Sequence, residues 1–443
     1  MTRRILKGAG VWALTMGICM ALMWAVCALI PQSSIQRSSE RSADYFSGRG
    51  TYYLLAEGRR FTLVDNYSDC VLLNVIYNID SSDALRSMIR AQMHHIEGED
   101  CRADYRSAVY EGAEPDNSYS RYWHGSQVLL RPLLTFVSIE GCRRILFGLL
   151  MALNAVLCAL LVRRSAVRAL LVYVAGMLMI HFWMAYFAIQ FVTTLLVSSG
   201  ACIAVALLWR GDMPMERRMS RMTAICIVSG ACVCFMDFLT CETVAFSIPA
   251  ILWLMLYAER RGERLSIRAM TGAVCRWGGA WLAAYAAAFA LKWLLVLLVM
   301  GPDGFREVFT HAAVRVNDVL DVFEDGRSYT VMETGVGLLL ARNIACLIPG
   351  LENQTVGGAL VIAAGIAALV GLCLYIFGGS HTDIALMLAL VLVALVPFAR
   401  LVLLASHSLT HYFFTYRALI APAMALPAML VYGTARGKKK KRR

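Results

Sequence analysis

The stretch Gly8–Ile30 reads GAGVWALTMGICMALMWAVCALI and carries no charge. As a helix rising 1.5 Å per residue it is long enough to cross a hydrocarbon core of about 30 Å. Arg3, Arg4 and Lys7 precede it. Its apolar length exceeds that of a usual signal-peptide core, so it reads as a retained first transmembrane helix rather than a cleaved leader. The adjoining segment is opposite in character. Pro31–Cys142 holds 15 of the 30 acidic residues against 11 Lys and Arg, whereas the rest of the chain is net +16. One membrane helix running straight into a long acidic segment sets the frame for the remaining chain.

Beyond Cys142, apolar runs recur at about Ile145–Val162, Ala169–Tyr186, Phe191–Trp209, Met222–Phe238, Val244–Tyr257, Trp277–Met300, Val356–Phe377, Ile384–Leu404 and Phe413–Tyr432. The expected fold is therefore an all-α integral membrane protein of about ten transmembrane helices. With 59% hydrophobic residues, 16% charged and a mean hydropathy of +0.61 over 443 residues, a set of soluble domains is excluded. The net charge of +12 is a topological signal and not a nucleic-acid one, because the cations fall in short loops. Arg163/Arg164/Arg168, Arg210/Arg217/Arg218/Arg221, Arg260/Arg261/Arg264/Arg268 and the tail Lys438–Arg443 all lie on one side if the N-terminus is cytoplasmic. That orientation suits a bacterial plasma membrane. The 14 cysteines are scattered without metal-ligand spacing and read as small buried hydrophobes.

The expected divisions are the first helix (1–30), an exoplasmic segment (31–142), transmembrane helices two to seven (143–300), a second exoplasmic segment (301–354), helices eight to ten (355–433) and a basic tail (434–443). Structureless loops as long as the first exoplasmic segment are uncommon, so it should carry helices of its own. Val71, Leu72, Val75, Ile76 and Ile79 recur at helical spacing, as do Ala84, Leu85, Met88, Ile89 and Met93, and both groups read as amphipathic helices on the membrane surface. Phe305, Val308, Phe309, Ala312 and Val316 predict another in the second segment. Gly335–Leu347 is apolar but interrupted by Arg342 and Asn343, which predicts a re-entrant or interfacial helix.

Ionisable residues near membrane spans are costly and carry most of the functional signal. They collect on the exoplasmic side. Asp237 and Glu242 flank the turn between the fifth and sixth spans. His124 and Arg131 come just before the second span, and His407, His411, Tyr416 and Arg417 lie between the ninth and tenth. An arginine entering a membrane needs an anionic partner, and guanidinium forks bind phosphate oxygens in pairs. These eight residues are the candidate substrate-binding set. Asp65 and Asp69, in Phe61-Thr-Leu-Val-Asp65-Asn66-Tyr67-Ser68-Asp69, open the first surface helix. Either is a candidate general base toward a hydroxyl, or a ligand of a divalent cation, the metal question staying open. Simple helix capping explains the same spacing.

The layout of one helix, a long acidic outer loop with surface helices, many further spans and a basic end resembles the GT-C superfamily of integral membrane glycosyltransferases. The resemblance is architectural over most of the chain and local only at Asp65-Asn66-Tyr67, where family members often carry Asp-Glu-x-Tyr. Asn66 stands where a second acid is common. The Asp237–Glu242, Tyr122–Pro132 and His407–Arg417 stretches also resemble a group of bacterial membrane proteins to which no function attaches. The GT-C resemblance implies sugar transfer from a polyprenyl-phosphate donor to an exoplasmic glycan or lipid acceptor, with Asp65 as base and Asp69 as fallback. The rivals are a transporter or flippase for lipid-linked glycans, a polymerase or ligase of the same substrates, and a non-catalytic assembly partner.

Overall fold

The computed structural model describes residues 2–260, 264–317, 331–348 and 383–433, with isolated positions between 351 and 371. Among these, seven helices are long and apolar enough to cross a membrane. They are α1 (Thr2–Leu29), α7 (Ile139–Arg163), α9 (Ile189–Leu208), α10 (Met215–Met236), α12 (Ile267–Asn317), α14 (Ile384–Leu403) and the run Tyr412–Gly433, which ends in α17 (Ile420–Gly433). The chain is thus mostly helical and membrane-type, as the sequence predicts. Three of the ten expected spans are not among these seven. The third and sixth expected spans form shorter helices, α8 (Val167–Met179) and α11 (Val244–Glu259). The former stops because His181 adopts a left-handed φ of 53° and the chain tightens into a 3₁₀ turn, Phe182–Phe187. The eighth expected span lies outside the described residues.

Near residue 300 the helical conformation breaks: Gly301 takes φ 75°, open to a glycine, and a second helical stretch runs from Pro302 to Asn317, so α12 is two helices joined across a kink. One expectation is corrected, and it concerns the outer segment. Its first predicted surface helix, α3 (Asn66–Tyr77), is buried on every face from Asp69 to Tyr77. It is the core of a small lobe, enclosed by α2 (Gln32–Ser47), α5 (Cys101–Tyr110) and α6 (Gln127–Leu134). An acidic segment that surrounds an apolar helix with its own amphipathic helices has no need to spread it on lipid. The second, α4 (Ala84–Arg90), packs against α1 and α12. Gly335–Leu347 falls within α13 (Val331–Leu347), which packs on α15 (Ala405–Thr410).

The lobe is fastened to the bundle by buried cations that take helix-end carbonyls. Arg131 donates to the carbonyls of Ile30 at the end of α1 and of Ile76 and Ile79 at the end of α3. A guanidinium there satisfies orphan carbonyls and opposes the negative end of each helix dipole. Lys292 of α12, fully buried, does the same for Met88 and Ile89 at the end of α4, at 3.2 and 2.7 Å. Gly125 comes so close to the Phe235 carbonyl and ring that a Cβ would overlap both, and its N–H donates to that carbonyl at 2.8 Å.

At the other end of the bundle the basic loops meet. Arg168 pairs with Glu259 at 2.8 Å, Arg260 reaches the Trp209 carbonyl at 3.2 Å, and Lys7, Arg221 and Arg276 line one cavity. These clusters therefore share one side of the protein, as the alternation of spans requires.

Candidate functional site

Asp65 ends a short strand. β1 (Tyr52–Leu54) pairs antiparallel with β2 (Leu63–Asp65), setting Tyr52 opposite Asp65. The chain turns there into α3, and Asp65 caps it: Oδ1 accepts from the Ser68 N–H at 3.0 Å and Oδ2 from the Ser68 hydroxyl at 2.6 Å. The residue is 8% exposed. Burial pushes its carboxyl up to about 6, against the opposing pull of Ser68.

Asp69, one turn on, is spoken for. Its Oδ2 accepts from Arg143 Nε at 2.9 Å, and its Oδ1 from the Ile189 N–H at 3.0 Å. Arg143 also bonds Asn66 Oδ1 and the Tyr45 hydroxyl, both at 3.1 Å. A carboxylate holding these donors joins the lobe to the bundle.

Arg417 approaches from the far end of the chain. It lies in a 3₁₀ turn, Tyr416–Leu419, between α16 (Tyr412–Thr415) and α17. It is 4% exposed, with its guanidinium carbon 4.2 Å from the Phe191 ring centroid. Its Nε has no hydrogen-bond partner among the described residues. Nor does any carboxylate among them pair with it; Asp69 and Glu242 are held by Arg143 and Arg400.

These parts face one crevice. Asp65, Ser68, Asp69, Gln190, Phe191, Thr240, Phe413, Phe414 and Arg417 line it. It is narrow, with ≈ 20 Å³ open to water. Tyr52 stacks on Tyr67 and meets Phe413 edge-on, so the outer lobe and the last span form opposite walls.

The other candidates do not line it. Asp237 accepts from the Thr240 N–H at 3.0 Å and so shapes the turn that presents Thr240. Glu242 pairs with Arg400 at 2.9 Å, and Arg400 and His407 both take the Leu239 carbonyl. Tyr416 donates to the Ile180 carbonyl at 3.2 Å and lies 2.9 Å from His181 Nδ1, which places it behind Arg417. His411 stacks on Phe414. His124 is wholly buried, bonded to the Tyr119 carbonyl at 2.8 Å and pulled down to about 3 by burial, which keeps it neutral. Arg131 is the carbonyl clamp described above.

Sequence reasoning missed Arg143 and the contribution of Gln190 and Thr240. The one signal for Arg143 is its place in the first turn of a span, where a buried cation demands an acid, but the acid stands 74 positions earlier. As for a divalent cation, among the described residues no three His, Cys, Asp or Glu side chains assemble as ligands. Asp69, bound to Arg143, does not fit such a role. Compared with known protein families, with curated proteins and with solved structures, the chain matches none.

Proposed function

We propose that this protein is a membrane glycosyltransferase that moves a sugar from a polyprenyl-phosphate donor to a hydroxyl of an exoplasmic glycan or lipid acceptor. The observation that carries the reading is Arg417: a buried guanidinium without a carboxylate partner among the described residues, lining the same crevice as a buried acid. Such a cation is an anion site, and a phosphate that leaves with negative charge is the anion the chemistry supplies.

Asp65 takes the proton of the acceptor hydroxyl as its oxygen bonds to the anomeric carbon. The bond from that carbon to the donor phosphate breaks, and the phosphate departs with the electron pair, held by Arg417. Asp65 suits the task because its carboxyl, raised to about 6, is ionised at neutral pH yet basic enough to accept a proton. Asp69 holds the geometry through Arg143. Phe413 and Phe414 line the crevice and must swing aside to admit the donor.

The decisive experiment is transfer of labelled sugar from a polyprenyl-phosphate donor by the purified chain, with Asp65→Asn and Arg417→Lys beside it. Transfer that both changes abolish in folded protein supports the reading. Transfer indifferent to both ends it.

A further inference from the structure

A second cavity, at the end of the bundle remote from the outer lobe, is built of different chemistry. It lies between α1, α10 and α12 and has a volume of ≈ 540 Å³. Lys7, Arg221 and Arg276 line it, one from each helix, together with the apolar Val11 and Ile227. Glu216 is the single acid in its wall among the described residues. Three cations against one carboxylate leave an excess of positive charge around an aliphatic floor.

The cavity is preformed. Trp277 Nε1 donates to the Met219 carbonyl at 3.1 Å, tying α12 to α10, and Trp12 Nε1 donates to the Ala284 carbonyl at 3.0 Å, tying α1 to α12. Gly230 lets α10 approach the Trp281 backbone so closely that a Cβ would sit 2.5 Å from its carbonyl oxygen. These contacts set the helix spacing that leaves the space open. All three helices are long and apolar enough to span a membrane, so the cavity opens where lipid headgroups stand.

We propose that this cavity is a binding site for an anionic phospholipid, its phosphate among Lys7, Arg221 and Arg276 and its glycerol and acyl portion along Val11 and Ile227. The two guanidiniums offer the paired donors that suit phosphate oxygens, and the aliphatic floor supplies what a free phosphate would not use. Such a lipid would bridge α1 to α10 and α12 at the end of the bundle away from the carbonyl clamps. The proposal is independent of sugar transfer at the outer crevice, and its readout is binding.

The test uses the full chain purified in detergent, with phosphatidylglycerol, phosphatidylcholine or inorganic phosphate added, read by native mass spectrometry and thermal unfolding. Phosphatidylglycerol should be retained and raise the unfolding temperature, while phosphatidylcholine should do neither. The pair Arg221→Gln/Arg276→Gln should weaken retention roughly tenfold to thirtyfold, given the contribution of each basic residue near an anionic headgroup. Both of these arginines are solvent-exposed, so folding is spared. The control pair Arg163→Gln/Arg164→Gln, outside the cavity, should leave retention unchanged. Equal retention of phosphatidylcholine, displacement of the lipid by inorganic phosphate, or equal weakening by both pairs would each overturn the proposal.

Discussion

Asp69 and Arg143 form an ion pair at 2.7 Å in which neither side chain is more than 1% exposed. One belongs to the lobe and the other to the start of α7, so the contact joins the lobe to the helical bundle. Arg143→Gln would leave a bare buried carboxylate, and loss of one partner of such a pair typically costs about 3–5 kcal/mol. Membrane abundance and the unfolding temperature should fall sharply. An unchanged unfolding temperature would show that the pair bears no structural weight.

Asp65 should behave oppositely. Asn also caps helices, so Asp65→Asn keeps α3 in place while removing the proton acceptor, a change expected to slow transfer by about 10²–10⁴. Its stability consequence has a definite sign. The folded carboxyl is raised from 3.8 to about 6, so the folded state binds the proton more tightly than the unfolded chain. This contribution to stability is present in full below about pH 4 and is lost as pH rises toward about 6. Above that window Asp65→Asn should therefore be more stable than the natural chain by about 2–3 kcal/mol. Activity should run the other way and fall as pH drops through about 6. A flat rate profile between pH 5 and 8, measured with saturating donor, would remove Asp65 as the base.

Arg417→Lys keeps a positive charge but not the planar fork, and should lose most transfer without loss of protein. Arg417→Met should be at least as stable as the natural chain, since a buried cation with no carboxylate partner among the described residues is replaced by an apolar side chain of similar length. Should Arg417→Met instead unfold, the guanidinium holds the fold and its assignment to phosphate is lost. Normal transfer by Arg417→Lys would have the same force.

Reporters fused within Arg102–Asp116 and within Met213–Met219 should read on opposite sides of the membrane, the first exoplasmic and the second cytoplasmic. Both reading on the same side would contradict the packing of the lobe against the end of the bundle remote from Arg221.

The helical membrane class was legible because it rests on long uncharged runs such as Gly8–Ile30, a property of each segment alone. Asp65 as a helix-opening acid was legible for the same reason: a cap is local, with its partner Ser68 three residues away. What could not be read is whatever depends on partners far apart in sequence. Asp69 looks like Asp65 until Arg143 is found beside it, and Glu242 looks like a site acid until Arg400 closes on it from 158 positions away. The hydrophobic spacing of Val71 to Ile79 announced a helix correctly but could not say whether lipid or protein would cover it. Only the enclosing α2, α5 and α6 decide that.

The Ile189 N–H that donates to Asp69 stands at the start of α9, well after the outer segment has left the ribosome. At synthesis rates of about 5–20 residues per second, Arg143 follows the lobe at once, but Ile189 is made only several seconds later. During that interval Asp69 lacks the second of its two donors. The lobe is thus not a domain that matures first and is then fitted to a bundle; it comes of age together with the third long span. A chain stopped after Cys142 should be seen by quality-control proteases as unfinished, however complete its outer sequence looks.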